Sequence, residues 1–193
     1  MGPNSEHWIV AGSIELHRLI AKTKTMRPIH HHHALPADRR GDVTYYNPTT
    51  KEKLTNGRRT FRVRGVVGGD RINYTGVVSS STASLQLVKV LLHSVVSDNA
   101  DCMTIDIDDF FLLSTLPRSE YVRISVALLP DDIREEFKLN QYIHNDYVLF
   151  EITKGMYGLP QAGYLAQKEL VEHLSKFDYH LPTLVYSVTK QME

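Results

Sequence analysis

The sequence has one cysteine, Cys102, too few for an internal disulfide or a four-cysteine zinc site. Its place beside an apolar stretch suits a small core residue, and no chemistry is assigned to it. Nowhere do about 18 apolar residues run together, so no membrane-spanning helix is expected. The first segment, with Glu6, His7 and Glu15, also lacks the apolar centre of a signal peptide, so an intracellular protein with no membrane attachment is expected. Net charge is missing too, with 22 Lys and Arg against 22 Asp and Glu. What remains is 193 residues of 42% hydrophobic content, enough for one domain with a real core.

The zero charge hides an asymmetry. Residues 1–75 hold 13 Lys/Arg against 6 Asp/Glu, giving +7, and residues 76–193 hold 9 against 16, giving −7. A basic lobe beside an acidic one suits a protein that handles phosphates through cationic side chains and carboxylate-bound metal. Attraction between the two lobes produces the same pattern.

Residues 103–112 carry the sharpest chemical signal, an apolar run of strand character holding Asp106, Asp108 and Asp109 before Phe110 and Phe111. Strand alternation puts Met103, Ile105 and Ile107 on a buried face and Asp106 on the other. A carboxylate on an apolar strand needs a cation, and its acidic neighbours favour a divalent metal over a proton. The same stretch also reads as a strand ending in a solvated acidic turn.

Residues 5–22 are expected to be helical, capped by Asn4 or Ser5. His30 to His33 lie between Pro28 and Pro36 in a polar loop, since successive side chains cannot face one ion and no cysteine or carboxylate cluster completes a site. Residues 43–46 read as a strand, and Asn56-Gly57 as a hairpin turn feeding a strand from Arg58 to about Val67. On that strand Arg62 and Arg64 share one face, suited to a polyphosphate, while Phe61 and Val63 share the other. A helix capped within residues 79–82 and running to Val96 carries Leu85, Val88, Leu91, Leu92 and Val95 on one stripe, widened by Leu87 and Val90, and is expected to be buried. Strands are expected at 120–126 and 147–153, and a short acidic helix at Pro130-Asp131-Asp132. The glycine-rich stretch 154–163 leads into a last helix with Ala166, Leu170, Leu174 and Phe177 on its apolar stripe. The glycines serve either a flat ligand approached by Gln161 or simply a tight turn.

The order of Arg62-Val63-Arg64, an apolar helix, the Asp106 motif, a strand and then Met156-Tyr157-Gly158-Leu159-Pro160-Gln161-Ala162-Gly163 resembles the reverse transcriptase of copia-type long-terminal-repeat retrotransposons. The resemblance covers most of residues 58–180. It implies an α+β fold, a partial right-hand polymerase with a fingers hairpin and an incomplete palm of antiparallel sheet and packed helices. Residues 1–193 would form one truncated domain, with an N-terminal helix and loop over 1–42, the fingers hairpin over 43–75 and the fingers and palm core over 76–193. By the same resemblance Asp106 and the backbone carbonyl of Ile107 ligate Mg²⁺ or Mn²⁺, and Asp109 and Phe110 lie under the nucleotide triphosphate. Phe111 gates the sugar, and Arg64 with Arg62 holds the triphosphate. Gln161 contacts the nucleotide, with Leu159, Pro160, Ala162 and Gly163 shaping that wall.

The implied activity is RNA-directed DNA polymerisation by two-metal nucleotidyl transfer. The implied partners are an RNA or DNA template with its primer, deoxynucleoside triphosphates and the rest of the retrotransposon polyprotein, in a cytoplasmic particle or the nucleus. The sequence departs from the family in two respects. It has no Tyr-x-Asp-Asp hairpin, although residues 184–188 resemble the strand before it, and Asp108 stands where the family more often has a basic residue. One aspartate cannot hold two ions, so this chain alone is expected to be inactive. Two alternatives stay open: a non-catalytic nucleic-acid-binding relic of such a polymerase, and another Mg²⁺ enzyme using Asp106, Asp108 and Asp109 to hydrolyse nucleoside triphosphates.

Overall fold

The computed structural model describes residues 4–31, 35–55, 57–80 and 82–179. The expected strand at 184–188 lies outside them, as do His32 and His33. Helix α1 (Ser5–His17) runs into a π-helical turn at Arg18–Lys22, so the expected helix is present over its full length. Asn4 occupies the cap position without a side-chain cap hydrogen bond. Strand β1 (Met26–Ile29) follows, then β2 (Val43–Tyr45) and the hairpin of β3 (Thr49–Thr55) and β4 (Arg58–Arg64). After helix α2 (Leu85–Ser97) come the one-turn helix α3 (Phe110–Leu113), strand β5 (Thr115–Ser125) and helix α4 (Asp131–Glu136). Strands β6 (Ile143–His144) and β7 (Tyr147–Lys154) and helix α5 (Ala162–Ser175) complete the described order.

The main sheet has the order β1-β7-β5-β2, with β6 also pairing β7. Alternation along β5 and β7 turns Val122, Ile124, Val148, Phe150 and Ile152 to one face, where they meet Leu16 and Leu19 from the first helix, Leu112 and Ile133. This is the main core. On the other face Tyr121 and Leu149 pack with Val43 in a smaller cluster. Ser13 Oγ donates to Asp132 Oδ1 at 2.9 Å and ties α1 to α4, so the acidic start of α4 holds a tertiary contact as well as meeting the helix dipole.

The structure corrects four expectations. The sheet is mixed rather than antiparallel: β2 runs parallel to β5, with Val43 opposite Tyr121, because the long connection between them allows a crossover. Residues 103–107 form no strand, and Met103 and Ile105 are 83% and 66% exposed. A strand needs a ladder partner, and no described strand pairs with this segment. Cys102, in the same stretch, is exposed rather than a core residue. Helix α2 forms, but it is capped by Ser84, whose Oγ accepts the Leu87 N–H at 3.2 Å, and not within 79–82; none of its residues is buried and Val96 is 80% exposed. Its cap and periodicity are local properties, whereas burial needs a neighbour that the described residues do not supply.

Candidate functional site

The β3–β4 hairpin divides its charge by face. Ladder partners point to the same side, and the register sets Lys51 opposite Arg62, Lys53 opposite Thr60, and Thr49 opposite Arg64. That face carries Lys51, Lys53, Arg62 and Arg64 without a carboxylate, and all four are exposed. The other face presents Phe61 and Val63 to α1, where the Phe61 ring meets Trp8 edge-on at 4.8 Å and His7 at 4.9 Å. Arg62 and Arg64 therefore share a solvent face above an apolar underside.

Arg64 reaches the glycine-rich stretch. Its guanidinium lies over the Tyr157 ring at 5.2 Å, and the Tyr157 ring meets Phe111 edge-on at 5.3 Å. Phe110 and Phe111, both half-buried, lie with ring centroids 5.8 Å apart. Three segments far apart in sequence, the basic strand, the Phe110-Phe111 turn and the Tyr157 loop, thus meet in one place. The glycines make this approach possible. Gly158 has φ +95°, and a Cβ there would run into the Val67 carbonyl; one at Gly155 would run into that of Phe111. In this structure these glycines accommodate neighbouring backbone rather than a flat ligand. Gly163 sits against Phe111, whose ring edge would lie 4.0 Å from a Cβ there.

The acidic stretch is not gathered into a metal site. Asp106 and Asp108 are exposed, and Ile107 is half-buried. Asp109 takes a left-handed backbone, φ +57°, and its carboxylate pairs with Arg18, with Lys22 Nζ at 3.6 Å. Arg18 also pairs with the buried Glu15 at 2.7 Å, and Glu15 accepts the Gly65 N–H at 2.8 Å. Burial alone would lower the Arg18 pKa, but Glu15 and Asp109 outweigh it and raise the pKa above the usual arginine value. Asp109 is thereby committed to joining the first helix to the start of α3, not left open beneath a triphosphate. Among the described residues no group of three His, Cys, Asp or Glu could hold a metal ion. Asp106 with the Ile107 carbonyl does not fit Mg²⁺ or Mn²⁺, which need several converging oxygens.

The expected nucleotide wall is turned inward. Leu159 and Ala162 belong to the main core, and Pro160 is half-buried. Gln161 is 0% exposed, and its Nε2 donates to Glu120 Oε1 at 3.0 Å while its Oε1 has no partner. Glu120, also 0% exposed, binds Arg39 through Oε2 and Arg118 Nη2 through Oε1 at 2.9 Å; Arg39 in turn holds Asp42 at 2.9 Å. Sequence reasoning missed this network. Its signal was present, because Glu120 shares the inward face of β5 with Val122 and Ile124 and so needed buried partners. Tyr157 was also missed as a link, since only folding brings it between Arg64 and Phe111.

No helix among the described residues is long and apolar enough to cross a membrane. Compared with models of known protein families, with characterised proteins and with solved structures, the chain has no match.

Proposed function

We propose that this chain binds the phosphates of a primed RNA or DNA template and of deoxynucleoside triphosphates through the outer face of its β3–β4 hairpin. In this reading it is the fingers and first part of the palm of a copia-type reverse transcriptase, works beside the rest of that polyprotein, and does not polymerise by itself. The observation that carries the reading is the hairpin register. Lys51 and Arg62 stand directly opposite each other with no carboxylate on their face, an arrangement that destabilises a hairpin unless an anion joins it. The guanidinium of Arg64, stacked on Tyr157 beside Phe111, extends this cationic face toward the aromatic turn.

Asp106 contributes one exposed carboxylate, and no metal-dependent step is assigned to it. The rival reading, nucleotide hydrolysis by Asp106, Asp108 and Asp109, is weakened by the commitment of Asp109 to Arg18 and Lys22.

Fluorescence anisotropy with an RNA:DNA primer-template at low salt tests the binding. Saturable binding is expected, weakened about tenfold or more in the Arg62→Ala/Arg64→Ala double variant. Absence of binding at low salt would refute the reading. Primer extension on poly(rA) with dTTP and Mg²⁺ or Mn²⁺ is expected to yield nothing. Product that disappears on Asp106→Ala would show that the chain does catalyse.

A further inference from the structure

The face of the sheet turned away from the main core carries a cavity of about 510 Å³ that the hairpin does not border. Its floor is made by Val43, Leu149 and Arg123, which the register of β2, β5 and β7 brings to one side: Arg123 is opposite both Tyr45 and Leu149. Arg40, Arg71, Arg123, Tyr142, Tyr147 and His144 give it its chemistry, and among the described residues no Asp or Glu lines it.

None of the three arginines makes an ion pair among the described residues. Two are instead held by aromatic rings. Arg123 lies over Tyr147 at 5.8 Å, and Arg71 over Tyr45 at 5.4 Å, which orients each guanidinium without neutralising it. Two other rings line the same hollow, His31 stacked on His144 at 4.0 Å, and Tyr142 is backed by His30 at 4.4 Å. All three arginines are exposed, unlike Arg18, which has Glu15 and Asp109, and Arg39, which has Asp42 and Glu120. Three unpaired guanidinium groups around one cavity repel each other and call for an anion, and planar guanidinium matches phosphate oxygens in pairs. Flat aromatic walls call for a flat apolar partner. The volume lies within the range of small-molecule sites.

We infer that this cavity binds a nucleotide unit, its phosphate held by Arg40, Arg71 and Arg123 and its base laid against Tyr142 and Tyr147. The nucleotide is either free or the unpaired residue of a single strand; the recognising chemistry is the same. The site is separate from the hairpin and stands or falls independently of the function proposed above.

Calorimetric titration of the full chain carrying Arg62→Ala and Arg64→Ala, which silences the hairpin face, tests it with AMP, an eight-nucleotide oligo(dA) and inorganic phosphate. AMP is expected to bind saturably with Kd below about 1 mM. Arg40→Ala and Arg71→Ala are each expected to weaken it about tenfold. Both arginines are exposed, so either variant is expected to keep its fold, and near-ultraviolet circular dichroism checks this. Tyr142→Leu, which leaves the Arg123–Tyr147 stack in place, should weaken AMP and leave phosphate unaffected. Oligo(dA) that competes with AMP identifies a strand residue as the ligand, and AMP binding without competition identifies a free nucleotide. The inference is overturned by absence of saturable AMP binding, by phosphate binding as tightly as AMP, or by AMP affinity unchanged in both arginine variants.

Discussion

Glu120 is enclosed by Arg39, Arg118 and Gln161, and its removal would leave buried Arg39 with Asp42 alone as counter-charge and the Gln161 amide without its acceptor. Breaking a buried pair on one side costs about 3–5 kcal/mol, far more than the pair contributes relative to apolar residues. Asp42 still faces Arg39, so Glu120→Ala is expected to lower unfolding free energy by up to that amount, read from urea denaturation. A loss below about 1 kcal/mol would mean that Asp42 by itself neutralises Arg39. Tyr46 makes a different residue-scale prediction. Burial, with the nearby Glu15 charge, pushes its phenol pKa above the normal value, so the fold holds the neutral form. Below about pH 10 both folded and unfolded phenols are protonated and contribute no pH dependence. Above it the unfolded chain ionises first, so stability falls as pH rises through the alkaline range. Tyr46→Phe should flatten that fall, measured as the difference in urea midpoint between about pH 8.5 and pH 10.5.

At the scale of elements, the hairpin sets stability against binding. Lys51 opposite Arg62 is a like-charge cross-strand pair, and Lys51→Glu turns it into an opposite-charge pair. Such pairs are worth about 0.2–1 kcal/mol, so the variant should be more stable by that amount while binding primer-template less tightly. Equal or tighter binding would remove the hairpin face from the interface. Helix α2 and the glycine-rich loop show how far local signals reach. The apolar stripe of α2 was legible and the helix forms, but its cap, Ser84, lies beyond the 79–82 expected, and its burial was not legible, because burial depends on a neighbour. For the loop, Gly155 and Gly158 marked a break in regular structure. What they meet, the Phe111 and Val67 carbonyls, is decided by segments more than 40 residues away along the chain.

For the whole molecule, part of the opposed charge of the two halves is spent across the divide. Arg18 and Lys22 pair with Asp109, Arg27 with Glu151, and Arg39 with Glu120, each joining residues 1–75 to residues 76–193. Attraction between lobes explains this part of the asymmetry without any ligand. The excess left on the outside lies on the hairpin face and at Arg40 and Arg71 beside the cavity, and with zero net charge any long-range pull on nucleic acid must come from such local patches. A plot of log affinity against log salt should therefore fall with a slope of about −0.9 for each phosphate engaged on a duplex. Arg62→Ala and Arg64→Ala together should make it shallower by about 2. A slope unchanged by both substitutions would place the contact elsewhere.

The sequence by itself determined the local structure: the first helix, the hairpin and its two faces, strands β5 and β7, the acidic turn of α4 and the start of α5. Each is written in periodicity, capping and turn residues within a few positions of one another. The tertiary structure decided which charges were spoken for. Asp109 looks like a ligand-facing acid in sequence and becomes the partner of Arg18; Gln161 looks like a nucleotide contact and becomes a donor to buried Glu120. Residues 103–107 have the alternation of a strand and remain unpaired, because a ladder requires a second chain segment beside the first. Alternation is a property of neighbours in sequence, whereas pairing, neutralisation and burial are properties of neighbours in space.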